Sequence, residues 1–487
     1  YLNFTPLQER EEWLSQWAEK GTWPWHSAEF GQPYDGNWYW QRLFLGTEHL
    51  AQIFGDRAYA EETPAALTNA LEIADKAHPW GHGCDLGHLT MQEQPLFWEM
   101  QRIWTKRTNT RWRAFGFNGG NDYFNLHEAY GTPPGTMGYG RYGIKGDEED
   151  LLRKPSWANE GYDIHRLGNL DFCGFLGGAP DFADRTHAYW TGERIEKQAV
   201  LIWDGFGDKR VWVEWTLERP SGARATVASG RFAASLKQGE RAFVPFSLTA
   251  PNAERKEAYV LKISFVDEGA LVAFDSQAVE VYPDRRHPMY RVTAPQAKVA
   301  LFDPKGESAP VLDALGIPYE KIDSLAFPSS PSASPLPLVI GRNALDDAVD
   351  LAISPKTLKD GLKVLYLVQA PEVWQAMGFA VQDTMSRELY LRERQNPAYR
   401  FVTDDMLAHW RGAPKYGKKD YGPIMRHASQ RGPRWTRRHT VAGCVLEIPT
   451  RVGFAPVVDG EFDMNYAAVL RFRAGKGALT FCTLDLE

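Results

Sequence analysis

The sequence predicts three domains in series: the C-terminal part of a (β/α)8 TIM barrel, an immunoglobulin-like β-sandwich, and a closing α/β domain. Three observations predict this. Up to about residue 195, long helical stretches alternate with short apolar runs, the rhythm of an α/β barrel. Over 196–284 the texture changes to short runs of period two, bounded by turn residues, as in a small sandwich. Beyond Pro295, from about 297 to 487, the helix–strand rhythm returns. At 487 residues and 43% hydrophobic content, the chain can bury several cores.

The chain opens on Tyr1 inside an amphipathic stretch, with Leu7, Trp13, Leu14 and Trp17 at helical spacing and no visible signal peptide. Gly21 stops that pattern, and 22–28 reads as a short buried strand leading to Glu29. Helical stretches follow at 39–55 and 61–77, then the loop "HPWGHGCDLGH". Next comes the helix "QPLFWEMQRIWTKRTNTRW", feeding a strand expected over "RAFGFNGGND". "GTPPGTMGYGRYGIKGD" is an irregular loop.

In "RVWVEWTLERP", Val211, Val213, Trp215 and Leu217 share one face, as a half-buried strand requires. "KQAVLIWDG", "RAFVPFSLTAP", "AYVLKISFVD" and "ALVAFDSQAVEVYP" extend the series. In the last domain "KVALFD", "LVIG" and "KVLYLV" read as buried strands, "FPSSPSASPLP" as a flexible loop, and "GALTFCTLDLE" as the closing strand.

Composition excludes several classes. A net charge of −7 without a basic run argues against a nucleic-acid partner. No apolar stretch approaches the roughly 20 residues of a membrane span. The four cysteines, Cys84, Cys173, Cys444 and Cys482, lie far apart and form neither a disulfide framework nor a zinc ribbon. His78, His82, Cys84, Asp85 and His88 are metal-ligand types, but their spacing matches no compact motif, so no metal is assigned. The 18 tryptophans serve either a large core or sugar stacking.

Glu29 is the residue of most chemical interest. It follows a predicted strand in "WPWHSAEFGQP", and barrel enzymes carry their active sites at the carboxyl ends of strands. A loop glutamate with a purely structural hydrogen-bonding role is the competing reading.

The run "PLQEREEWLSQWAEKGTWPWHSAEFGQP" resembles the seventh-strand region of clan A glycoside hydrolases, notably the β-galactosidase-like families 2 and 42. There a Ser/Ala-Glu-Phe/Tyr-Gly segment presents the nucleophilic glutamate, and here "SAEFG" supplies Ser27, Glu29, Phe30 and Gly31. "AYWTGERIEKQAVLIWDG" resembles the passage from barrel to sandwich in such enzymes, and the tail from 297 is similar to the Rossmann-like, class I amidotransferase-like domain of family 42.

The resemblance implies a retaining glycoside hydrolase acting on β-linked oligo- or polysaccharide, with Glu29 as nucleophile and no cofactor. Trp25, His26, Trp38 and Trp80 become candidate sugar contacts at the rim. Where the family often stacks an aromatic residue, this chain has Asn118 and Asn121, which either donate to sugar hydroxyls or serve as turn residues beside Gly119 and Gly120. The family's acid/base motif is absent, and only two barrel strands are legible where eight are needed. The missing strands and the second carboxylate are therefore expected from an upstream barrel segment or a partner chain. A homo-oligomer remains open. The rival is a carbohydrate-binding or scaffold protein that kept the fold and lost the chemistry. In the tail domain, "KVLYLVQAPEVW" occupies the place of the amidotransferase elbow without a cysteine, so that domain is expected to be non-catalytic.

Overall fold

The computed structural model describes residues 95–117, 169–220, 226–290, 298–325, 336–346, 355–382, 386–392, 402–411, 439–460 and 465–485, with isolated positions elsewhere, chiefly before residue 58. They form two compact units, one built from the chain up to Pro283 and one from Asp284 onward. Strands dominate both. No helix among the described residues is long and apolar enough to cross a membrane.

In the first unit, strand β1 (His26–Ser27), helix α1 (Pro95–Phe115) and strand β2 (Gly119–Gly120) precede the sandwich. The first predicted helix shows its hydrogen bonds at two points, Glu11 N–H to Leu7 O and Ala18 N–H to Leu14 O. Leu7 and Leu14 are buried on its apolar stripe, and so is the charged Glu11 between them. Helix α1 runs three residues beyond its sequence-based end, so Arg113–Phe115 are helical where a strand was expected. The stop is a Schellman motif. Gly116, at φ +95°, donates its N–H to Arg113 O, and Phe117 donates to Trp112 O. The Phe117 ring also meets Trp112 edge-on at 5.2 Å, the hydrophobic contact typical of that motif.

The sandwich pairs a sheet of β3 (Phe172–Gly178), β5 (Arg194–Trp203) and β8 (Glu240–Thr249) with a sheet of β4 (Ala188–Trp190), β10 (Ala270–Tyr282), β9 (Glu257–Asp267), β6 (Lys209–Glu218) and β7 (Thr226–Leu236), each in that order. Its core joins Phe172, Leu176, Ala199 and Leu201 of the smaller sheet to Val213, Leu217, Leu261, Ile263, Phe265 and Val279 of the larger.

The sandwich thus takes in two strands that precede the expected start at Glu196. For β3 the physical reason is that it and its neighbour β5 are covered on both faces. Phe175, Val200 and Ile202 turn outward and pack on Ala114 of α1. A strand buried on both sides shows a continuous apolar run instead of alternation, so "FCGFLGG" carries no period-two signal.

The second unit is built on one mixed sheet. Its parallel part runs β12 (Tyr319–Lys321), β11 (Val299–Phe302), β13 (Leu338–Ile340), β14 (Lys363–Tyr366) and β20 (Gly477–Cys482). Helix α2 (Ala309–Leu315) follows β11, α3 (Pro355–Lys359) precedes β14, and α4 (Pro371–Ala376) follows it. In chain order the parallel strands read 2-1-3-4-5, the order of flavodoxin-like doubly wound sheets. Strand β19 (Tyr466–Ala474) then adds antiparallel to β20 and carries β17 (Val445–Glu447) and β18 (Phe454–Asp459). Two short strands, β15 (Val381–Gln382) on β17 and β16 (Tyr390–Leu391) on β18, complete it.

Candidate functional site

Strands β1 and β2 pair in parallel, His26 opposite Gly119 and Ser27 opposite Gly120. Their carboxyl ends therefore share one edge, which is the arrangement of neighbouring strands in a barrel. This two-stranded pair is the only sheet before residue 169 among the described residues; a (β/α)8 barrel, whose C-terminal part is expected over 1–195, is not seen among them.

Helix α1 leads into β2, and the helix is fixed firmly to the sandwich. The Arg107 guanidinium grips both Glu11 oxygens at 2.6 Å, and Arg185 reaches the same carboxylate at 3.3 Å. Glu11 is fully enclosed there. Burial alone would raise its pKa, but Arg107 and Arg185 outweigh it and hold the carboxyl at about 2. Asp275 of β10 accepts from Lys106 on α1 and from the Leu176 N–H of β3. At the helix C-terminus, Arg241 of β8 donates to Ala114 O, and Arg113 donates to Leu170 O and Asp204. Carbonyls at a helix end need such partners.

Of the sequence-predicted site residues, His26 lies in β1, with its backbone paired to Gly119. Glu29, Trp25, Trp38, Trp80, Asn118 and Asn121 lie outside the described residues, as does the His78–His88 loop. Among the described residues no group of three His, Cys, Asp or Glu side chains could hold a metal.

In the second unit the chain turns from β11 to one side and then the other, which opens a crevice between the carboxyl ends of β11 and β13. Ligands of doubly wound sheets bind at such switch points. Here the protein's own polar groups bond to one another. Asp303 accepts from the Ser308 and Ala309 N–H groups at 2.9 Å each, and Ser308 Oγ accepts from Arg342 N–H at 2.7 Å. Arg342, buried, meets Asp485 at 3.4 Å. Gly341 leaves no room for more, since a Cβ there would sit 2.7 Å from Asp303 Oδ1.

At the elbow between β14 and α4 stands Gln369. Its amide donates to Gly341 O and Leu367 O, and its oxygen accepts from Leu345 N–H. An amide so engaged offers no nucleophile. Cys444 and Cys482 are buried, and burial pushes the Cys482 thiol up to about 11, the opposite of what a reactive cysteine needs.

Sequence reading missed a second polar group in this unit. His409 bonds Glu388 at 2.8 Å, and Tyr390 donates to the same carboxylate. Nearby on the chain, Arg392 pairs with Asp459 at 2.9 Å. Burial pushes the Asp459 carboxyl up to about 7 against the pull of Arg392. The alternation of charge in "RELYLRER" was the available signal; its burial was not.

No protein-family model matches the chain, and no curated protein matches it. Solved structures share limited likeness. The CARDB domain of a Pyrococcus furiosus protein, in complex with di-metal ions, is 14% identical over 23% of this chain and 92% of its own, with a TM-score of 0.18. A glycosyl hydrolase family 2 member from Bacteroides cellulosilyticus is 16% identical over 19% of this chain and 13% of its own, with a TM-score of 0.16. A β-glucosidase from Listeria innocua is 14% identical over 23% and 16%, with a TM-score of 0.18. The likeness to glycosidases is thus weak and of low coverage.

Proposed function

We propose that the chain is the C-terminal portion of a β-galactosidase-like retaining glycoside hydrolase, with Glu29 as its nucleophile. The observation that carries this reading is the pairing of β1 with β2. In the sequence, Glu29 comes two residues after the end of β1, and Asn121 one residue after the end of β2. Because the strands run parallel, their carboxyl ends share one edge, and barrel enzymes gather their catalytic groups at such an edge. In the sequence, "SAEFG" carries a carboxylate just after β1, and the aromatic residues on either side suit the apolar faces of a pyranose.

In this reading Glu29 attacks the anomeric carbon and forms a glycosyl-enzyme ester. A second carboxylate, about 5–5.5 Å away, protonates the departing oxygen and then activates water. We assign that acid/base to a barrel segment upstream or to a partner chain, since no residue here matches its motif. The α/β unit after residue 297 is assigned a structural or assembly role. Gln369 at its elbow and the raised thiol of Cys482 support that.

The test uses the intact gene product and a panel of nitrophenyl β-glycosides, followed by trapping with a 2-deoxy-2-fluoro glycoside of the accepted sugar. The expected result is a covalent label on the peptide containing Glu29, and loss of turnover with retained folding in Glu29→Gln. A label on another carboxylate would exclude the assignment. Tight sugar binding without turnover by the intact protein would favour the scaffold alternative.

A further inference from the structure

The second unit carries a half-open cavity of about 770 Å³ that the glycosidase reading does not use. Strands β14, β19 and β20 form its floor, and α3 and α4 form its walls. Four of its lining rings form a connected box. Tyr366 stacks on Phe481 at 5.0 Å, Phe481 meets Phe379 edge-on at 4.9 Å, and Phe379 meets Phe454 at 6.3 Å. Phe472 closes the side, 4.7 Å from Phe454. The volume falls in the range of small-molecule sites, which are mostly apolar with a few placed polar groups.

Two polar groups are placed here. Tyr366 is 1% exposed and lines the cavity, yet its hydroxyl has no hydrogen-bond partner among the described residues. A hydroxyl that opens into an apolar cavity without a protein partner is placed to bond an acceptor from a bound molecule. At the mouth stands Lys359, the last residue of α3, exposed and in no ion pair among the described residues. Lys356 lies one turn earlier, and the Lys476 N–H donates to Lys359 O. Asp346 also lines the cavity, so its charged lining residues are one ammonium and one carboxylate.

We propose that this cavity binds an aromatic carboxylate bearing a ring oxygen: its ring system in the aromatic box, its oxygen on the Tyr366 hydroxyl, its carboxylate on Lys359. A sugar is disfavoured, because one hydroxyl, one ammonium and one carboxylate leave most of its own hydroxyls unpaired. An alkyl chain would fill the volume but gain nothing from the edge-to-face ring geometry that aromatic pairs prefer. The inference is independent of the assignment of Glu29.

The experiment titrates the full chain with 6-hydroxy-2-naphthoate by calorimetry, beside 2-naphthol and laurate. Saturable one-to-one binding is expected for the naphthoate, about tenfold or more tighter than for 2-naphthol, as a charge-assisted bond provides. Lys359→Met should weaken it by a similar factor, and Tyr366→Phe by about two- to tenfold. Ala376→Trp, which places an indole in the cavity from an exposed position on α4, should abolish it. Unchanged thermal unfolding of Lys359→Met, a surface variant, separates lost binding from lost folding. Absence of naphthoate binding, indifference to both Lys359→Met and Ala376→Trp, or tighter binding of laurate would each overturn the proposal.

Discussion

Each unit buries a carboxylate against arginine, and the two respond in opposite directions. Glu11 in the first unit is held at about 2, whereas Asp459 in the second is pushed up to about 7. Both are screened from water, and for both burial is the largest influence and raises the pKa. The difference lies in the guanidiniums. Glu11 receives two short bonds from Arg107, a third arginine contact from Arg185, and the field of Arg111. Asp459 has one bonded arginine, Arg392, and feels the like charge of Asp404 beside the help of Arg394. A single bonded cation does not offset desolvation; several together do. One carboxylate ties α1 to the sandwich as an anion, and the other sits near the point of taking up a proton.

The sharpest way to break this contrast is Glu11→Gln. It leaves Arg107, Arg111 and Arg185 enclosed without their counter-charge, and removing one partner of a buried pair costs about 3–5 kcal/mol. Amide exchange over α1 and β3 should accelerate strongly, while peptides of β14 and β20 keep their protection. Equal acceleration in both units would show that Glu11 is not a local clamp.

Acid titration probes the same contrast with an effect of about 3 kcal/mol for Glu11. A depressed carboxyl contributes its full stability above its unfolded pKa of about 4.5, and loses it as pH falls toward 2. Asp459 works the other way. Between 3.8 and about 7 the folded second unit binds more protons than the unfolded one, so its stability declines as pH rises through that window. Unit-resolved exchange at pH 3, 5 and 8 should find the first unit weakest at pH 3 and the second weakest at pH 8. Asp459→Asn should flatten the second response and leave the first unchanged.

The smallest effect tests packing instead of charge. Gly174 of β3 faces Phe265 across the sandwich, and a Cβ there would lie 2.6 Å from the ring. Gly174→Ala should cost about 2 kcal/mol as overpacking, read as a lower urea midpoint for the first unit alone.

Much of this architecture is written locally. Period-two alternation in "RVWVEWTLERP" and "AYVLKISFVD" identifies β6 and β9, because one face of each meets the core and the other meets solvent. The start of α1 at Pro95 and the parallel strands "KVALFD", "LVIG" and "KVLYLV" are legible for similar reasons. The sequence also ends its two expected barrel strands near Glu29 and Asn118.

Only the tertiary structure decided the rest. Alternation fails for β3, because Phe172 and Leu176 face the sandwich while Phe175 faces α1, so both sides are apolar. Arg113 reads as part of a strand until its helical position lets it reach Leu170 O and Asp204, far along the chain. Glu11 interrupts an apolar stripe for no local reason; arginines 96 and 174 residues away neutralise it. The aromatic box draws Tyr366, Phe379, Phe454 and Phe481 from separate segments. Local periodicity records which face of an element is apolar, but what covers that face, and which charges meet beneath it, depends on contacts between residues distant in sequence.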